Sequence, residues 1–378
     1  MINIIDKSKC CGCSACVQVC PKQCIQMHED NEGFLYPQVN AEICIHCGLC
    51  EKVCPELHTS KKCEPLSVYA AKNTDEEVRL TSSSGGIFTL LAEQIIEEGG
   101  VVFGARFDEK WEVHHIMATT KEELKPFRGS KYVQSRIGTT FKQVKVCLNL
   151  GKKVLFTGAP CQVAGLKHYL RKDYDNLLTM DFVCHGVPSP KVWRSYLSEV
   201  SEGRNIKNIE FRNKRCGWKN PSLVLDFEEI EKRRLLSQSR GFDENIFMQA
   251  FLSNLILRPS CYDCAEKCGK SGSDITLGDF WGIEKVLSNF DDDRGCSLLL
   301  IYSSKVLKYL NCPKIAVSMA DALAKNQSIL YSVNVPMNRE YFFYAFGKKG
   351  NFYLSYAKTV NMNLFFRFRR FIYRKLRK

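Results

Sequence analysis

Eight cysteines in the first 54 residues repeat one spacing. Cys10, Cys13, Cys16 and Cys20 precede Pro21, and Cys44, Cys47, Cys50 and Cys54 precede Pro55. Each run reads C-x2-C-x2-C-x3-C-P, the spacing by which thiolates hold a pair of 4Fe-4S cubanes. Three thiolates of a run grip one cluster, and the fourth reaches the other. Cluster one therefore draws on Cys10, Cys13, Cys16 and Cys54, and cluster two on Cys44, Cys47, Cys50 and Cys20. The spacing also predicts that each fourth cysteine starts a helix. Structural zinc sites pair two C-x2-C knuckles at longer intervals and need no duplicated Cys-Pro ending. A chain with this segment is expected to move electrons.

The rest of the composition places that chemistry. The chain has 378 residues, 45% apolar and 25% charged, and 20 cysteines. Length alone suggests two or three domains. Met1–Lys9 has no apolar stretch of the secretory kind, and no run of 18 apolar residues exists. Many cysteines without an export signal point to reducing cytoplasm, where thiols serve metals or redox chemistry. The net charge of +13 is uneven. No acidic residue follows Glu340, and ten lysines and arginines do. The basic balance thus belongs to the C-terminal end, and nothing in the body suggests nucleic-acid binding.

Residues 1–62 read as a two-cluster ferredoxin domain. Short strands over Cys24–Glu29 and Phe34–Val39 flank the turn cluster Asp30-Asn31-Glu32-Gly33. Residues 66–345 change to an α/β pattern. Helices are expected over Gly86–Glu98 and Thr139–Leu150, with strands over Val101–Phe107, Trp111–Ala118, Val154–Thr157 and Leu177–Val183. Thr120 and Glu123 form a capping box. The expected class is α+β or α/β: a ferredoxin domain, a mixed α/β domain, and a basic helical tail over 346–378.

Four further cysteines stand out. Cys161 and Cys184 each follow a predicted strand, and Cys261 and Cys264 form a C-x2-C. They could make a third four-thiolate site for iron or zinc, or be buried free thiols. Cys268 is a rival ligand. Cys11, Cys24, Cys63, Cys147, Cys216, Cys296 and Cys312 read as ordinary cysteines. Ser84, Gly85 and Gly86 run into a helix and suit a phosphate, unless Ser84 merely caps it. Gly129, Ser130, Lys131 and Tyr132 form a second such loop, with Tyr132 able to stack on a flat ring. No G-x-G-x-x-G is present, so a Rossmann NAD site is not supported.

In order, the motifs SSSGG, GSKY, TGAPCQ, VCHGVPS, FRNK, C-x2-C and DITLGDFWG resemble the beta subunit of coenzyme F-420 hydrogenase and dehydrogenase, over roughly Leu66–Lys325. That family includes a plant hydroxymethyl-chlorophyll reductase. The resemblance implies one FAD and one 4Fe-4S cluster, hence three clusters here. It implies that Ser84, Gly85, Gly86, Gly129, Ser130, Lys131, Tyr132 and Gly158 line FAD, and that Cys161, Cys184, Cys261 and Cys264 hold the body cluster. The fused ferredoxin module departs from the pattern of the hydrogenase protein and is similar to proteins of bacterial capsule and exopolysaccharide clusters.

The expectation is an iron–sulfur flavoprotein oxidoreductase that takes electrons from a donor such as reduced ferredoxin. It would pass them through the body cluster to FAD and on to a conjugated, small-molecule or lipid-linked acceptor. His185 could protonate that acceptor or support the site by hydrogen bonding. The rival reading is a non-catalytic adaptor for a partner redox enzyme. The tail places Leu364, Phe365, Phe368, Phe371, Ile372 and Leu376 on one helical face, opposite Arg367, Arg370, Arg374 and Arg377. Lys375 interrupts the apolar face. The pattern suits either a membrane surface or a solvated terminus, so the expected location is the cytoplasm, with the inner face of the membrane as the alternative if the tail docks.

Overall fold

The computed structural model describes residues 1–229 and 234–361. At the N-terminal end, β1 (Ile25–Glu29) and β2 (Leu35–Val39) pair as an antiparallel hairpin. Its turn is built by Asp30, whose Oδ1 accepts from the backbone N–H groups of Glu32 and Phe34 at 3.0 Å each. Short helices Ala15–Val19 and Leu49–Lys52 carry the third cysteine of each run. The fourth cysteine does not start a helix, contrary to expectation. Cys20 closes helix Ala15–Val19, and Cys54 follows the residue that closes Leu49–Lys52. The proline after each fourth cysteine disfavours helical backbone at that cysteine, so the chain turns away there.

The two cysteine loops share an unusual backbone. Gly12 and His46 hold equivalent places in the runs and have φ of +73° and +52°, and Ser14 and Gly48 match at +62° and +73°. Left-handed residues at both places turn successive sulfurs toward one point.

The body is built on an eight-stranded sheet. In chain order its strands are β3 (Ser67–Ala71), β4 (Val101–Phe107), β5 (Val113–Ala118), β6 (Val154–Thr157), β7 (Leu177–Phe182), β11 (Ile275–Asp279), β12 (Ser297–Ile301) and β13 (Lys314–Ala316). Across the sheet the order is β13-β3-β12-β11-β7-β6-β4-β5. The centre, β11-β7-β6-β4, is parallel, and the flanking pairs are antiparallel. The mixed sheet expected from the alternating pattern is therefore present. Buried Val154, Leu155 and Phe156 of β6 and Leu298, Leu299 and Leu300 of β12 show why these runs are continuous in apolar residues: both faces are covered. A separate antiparallel sheet joins β8 (Asn205–Asn213), β9 (Ser222–Glu229) and β10 (Arg234–Gly241).

The ferredoxin segment packs into the body. Ala15, Val53 and Cys13 share a core with Phe141, Val163 and Leu166. Helix Pro160–Leu170 approaches so closely that a Cβ on Gly165 would sit 2.8 Å from the Cys13 Cβ. At the hairpin, a Cβ on Gly33 would fall 2.2 Å from the Lys191 Cβ, and Arg339 Nη1 donates to Glu32 Oε1 at 2.9 Å.

The expected start of the tail at residue 346 falls inside helix Arg339–Lys349, whose Phe342 and Phe346 are buried with Phe352. The amphipathic face from Leu364 to Leu376 lies outside the described residues.

Candidate redox centres and cofactor cavity

Three cysteine-lined hollows follow one another through the molecule. Cys10, Cys13, Cys16 and Cys54 line one, together with Cys11. Cys20, Cys44, Cys47 and Cys50 line a second, together with Cys24. These are the groupings that the crossed spacing predicts, with the fourth sulfur coming from the other run. Cys24 lies 3.4 Å from Cys20, sulfur to sulfur.

The third hollow, about 60 Å3, brings Cys161, Cys184, Cys261 and Cys264 together from three separate segments. Cys161 lies in the first turn of helix Pro160–Leu170 after β6, and Cys184 follows β7. Cys261 lies in the 3-10 turn Pro259–Asp263, and Cys264 closes that turn. Cys261 Sγ accepts from the Val187 N–H at 3.4 Å. Without a cation these thiols resist ionisation. Burial raises the pKa of Cys261 to about 12, with nearby Cys184 adding to the rise, and burial pushes Cys264 up as well. A metal reverses that balance, because a coordinating thiol is deprotonated outright. Four half-buried sulfurs converging on one hollow that Arg258 and Lys267 also line are a donor set that fits a thiolate-bound cluster.

Two cysteines read as ordinary or rival also line this hollow. Cys268 does so, but its Sγ donates to the Leu330 carbonyl at 3.5 Å. Cys11 lines both this hollow and the first ferredoxin hollow. Its place beside Cys10 in the run hid that position. Only the docking of the two regions reveals it.

Against the third hollow lies a cavity of about 710 Å3. It opens beyond the C-terminal ends of β6, β7 and β11, the usual place for a ligand in an open α/β sheet. Asp181, Phe182, Val183, Cys184 and His185 line both spaces. Ser84, Gly86, Gly129, Ser130, Lys131, Tyr132 and Gly158 also line the cavity, and Gly85 does not. A Cβ on Gly85 would sit 2.5 Å from the Ala71 carbonyl and 2.7 Å from the Ser297 nitrogen. That glycine serves close packing against the sheet. Ser84 is no helix cap either. Gly86, at φ +80°, caps helix Ile87–Glu97, while Ser84 Oγ donates to the Cys296 carbonyl at 2.9 Å. The two candidate loops meet directly, the Ser130 N–H donating to Ser83 Oγ at 2.7 Å.

Lys131 turns back on its own loop, Nζ donating to the carbonyls of Phe127, Arg128 and Gly129 at 2.9–3.2 Å. Burial lowers its pKa to about 7. The Tyr132 ring packs 4.9 Å from that of Phe251 and edge-on to Phe211 and Phe242. His185 is held by Asn254, its Nε2 lying 2.7 Å from Asn254 Oδ1, and burial lowers its pKa.

Sequence reasoning missed two polar residues of this wall. His115 is buried, its Nε2 engages the Thr157 carbonyl at 2.8 Å, and its Nδ1 has no partner among the described residues. Burial lowers its pKa to about 4. Arg212 pairs with Asp279 at 2.8 and 3.2 Å, yet its buried Nε is also unpartnered among the described residues. Both residues line the cavity. Buried polar atoms normally find partners, so the cavity wall is built for a polar ligand. The FRNK and DITLGDFWG motifs contained Arg212 and Asp279, but their pairing across 67 positions is a tertiary fact.

Comparison with known proteins agrees with the motif order. The chain is 25% identical over 230 residues to one component of the F(420)H(2) dehydrogenase of Methanosarcina mazei, a match covering 55% of this chain and 63% of that protein. It spans less than two thirds of the length of that relative. Its N-terminal end is 37% identical over 65 residues to a 7Fe ferredoxin of Hydrogenibacillus schlegelii, covering 16% of this chain and 77% of the ferredoxin. A chain from the F420-reducing NiFe hydrogenase complex of Methanosarcina barkeri overlays with TM-score 0.48 at 18% identity, over 71% of this chain and 90% of its own length. The family model for the 4Fe-4S dicluster domain matches residues 9–57. Those for the N-terminal part and the C terminus of the coenzyme F420 hydrogenase/dehydrogenase beta subunit match residues 68–142 and 151–320, well over half of the chain between them. The chain is therefore an iron–sulfur protein that belongs to the family of coenzyme F420 hydrogenase/dehydrogenase beta subunits and carries a 4Fe-4S dicluster domain at its N-terminal end.

Proposed function

We propose that this chain is an iron–sulfur flavoprotein oxidoreductase with three 4Fe-4S clusters and one FAD. Residues 1–62 form the electron-receiving module, and the α/β body from residue 66 holds the third cluster and the flavin. Clusters held by these cysteines would supply one-electron transfer from a donor such as reduced ferredoxin, and FAD held in the cavity would supply hydride chemistry. The observation that carries this reading is the shared wall. The four-cysteine hollow and the 710 Å3 cavity have Cys184 and His185 in common, so a cluster and a flavin there would be neighbours.

The chain's own residues would hold the flavin in stated ways. The N–H groups of the first turn of helix Ile87–Glu97 lack intrahelical partners and favour a phosphate. Gly86 allows close approach. His115 Nδ1 and Arg212 Nε offer polar atoms to the ligand. His185, fixed by Asn254, stands where an acceptor proton could be exchanged. The acceptor is a small conjugated or sugar-linked molecule, and a lipid-linked one in polysaccharide assembly rests on the tail sequence alone.

The test is metal and flavin content of anaerobically purified protein. The expected result is about twelve irons per chain, four per cubane, with one FAD. Zinc, or about eight irons, would remove the third cluster. Gly86→Asp should lose FAD while keeping its iron, and stoichiometric FAD in that variant would leave the loop as a helix cap.

A second reading is a non-catalytic electron-transfer protein within a larger complex. It is favoured by the relative from Methanosarcina mazei, whose name makes it one component of a dehydrogenase. The two readings separate on turnover: an enzyme reduces an acceptor alone when given dithionite, and an adaptor needs its partner.

A further inference from the structure

Arg258 is fully buried, although its side chain carries a permanent charge. Among the described residues no carboxylate forms an ion pair with it, although Glu56, which lines both the first ferredoxin hollow and the third hollow, lies within Coulombic reach. Its donors go elsewhere: Nε to the Cys10 carbonyl at 2.7 Å, Nη1 to Gln134 Oε1 at 3.0 Å, and Nη2 to the Leu35 carbonyl at 2.9 Å. Nη2 also lies 3.6 Å from Cys10 Sγ. The guanidinium stacks on Tyr36, 4.4 Å from the ring centre. Every hydrogen-bonding partner except that sulfur is neutral.

A buried cation without a counter-ion is costly even after relaxation. The position of Arg258 says what the counter-ion is. On one side it touches Cys10, a thiol of the first ferredoxin hollow. On the other it lines the hollow of Cys161, Cys184, Cys261 and Cys264, and its carbonyl accepts from the Cys261 N–H at 2.9 Å. A four-thiolate cubane is a net anion and gains one more negative charge on reduction. Cluster potentials follow net charge and hydrogen bonds to the sulfurs.

We propose that Arg258 is the shared counter-ion of the first ferredoxin cluster and the body cluster, and that it raises the reduction potential of both. It is a positioning residue, acting through the cluster sulfurs. By favouring the reduced state of both neighbours, it keeps the step between them level while making each easier to reduce. The inference rests on the iron–sulfur reading of both sites.

The experiment is redox titration of the full chain followed by electron paramagnetic resonance, with iron content measured on every sample. In Arg258→Gln the first-cluster potential should fall by at least tenfold in the reduced-to-oxidised ratio, about 59 mV for a one-electron couple. The body cluster should fall in the same direction, and the second ferredoxin cluster should stay put. Arg258→Lys keeps the charge and should restore most of the shift. Gln134→Glu places a carboxylate against Nη1 without removing the arginine, and it should lower the first-cluster potential too. It decides the matter if Arg258→Gln fails to assemble. An unmoved first-cluster potential in an iron-replete variant, or an equal fall in Arg258→Lys, overturns the proposal. Missing iron in the wild-type chain would instead strike the cluster assignment.

Discussion

The two cysteine runs share their cysteine spacing and loop backbone, yet they occupy different environments. Cys10, Cys13 and Cys16 are all buried, whereas in the second run only Cys50 is, Cys44 being half-buried and Cys47 exposed. Gly12 and His46 show what this difference selects. Both adopt left-handed backbone. A Cβ on Gly12 would lie 2.8 Å from Arg258 Nη1 and 3.0 Å from Gln134 Nε2, so only glycine fits beneath the body. His46 is exposed and can carry a side chain. The same loop is thus a docking surface in one copy and an outward face in the other. The buried copy adjoins the third cysteine hollow through Cys11, and the exposed copy is the one a donor could reach.

Exchanging the residues should break the comparison. Gly12→His forces an imidazole into Arg258 and should cost about 3 kcal/mol from overpacking and left-handed strain. Loss of first-cluster iron and a lowered thermal midpoint would register it. Wild-type stability in this variant would mean that the module is not clamped there. Cys184→Ser comes next. It should remove about four irons while both ferredoxin signals persist, because no ligand of that module comes from the body. If ferredoxin signals vanish as well, the two regions fold as one metal-dependent unit.

Cys47→Ser acts on the exposed copy. It should abolish the second cluster and slow reduction by ferredoxin, with the flavin and the body cluster retained. Unchanged ferredoxin-driven reduction would show that electrons do not enter through this face. The smallest effect belongs to His46→Gly. Glycine tolerates left-handed backbone but has more unfolded freedom to lose, so the net change should stay within about 1 kcal/mol. Chemical denaturation under anaerobic conditions would measure it, and a loss as large as that of Gly12→His would erase the contrast between the copies.

Parts of this structure were legible in advance for identifiable reasons. The x2 gaps hold the first three cysteines of each run to one centre, while the crossing of the fourth cysteine to the other centre is a property of the duplicated Cys-Pro motif rather than of gap length. Continuous apolar runs such as Val154–Phe156 marked buried strands. The strand-end cysteines were legible only as candidates, since Cys161, Cys184 and Cys261 come from distant segments. The place of Cys11 between two hollows was not legible, because its position beside Cys10 associates it with one run only. The role of Gly85 was misread because a glycine before a helix has the same local signature whether it faces a phosphate or a strand.

By itself the sequence determined the local chemistry: two thiolate loops, a mixed sheet from alternating patterns, and the family to which the body belongs. The tertiary structure decided everything that depends on two distant segments meeting. It set Cys11 between two hollows, left His115 Nδ1 and Arg212 Nε without partners among the described residues in a shared cavity wall, and buried Arg258 between two groups of sulfurs. The physical reason is range. Backbone geometry and spacing act over a few residues, whereas burial, desolvation and charge compensation are properties of a place that only the folded chain creates.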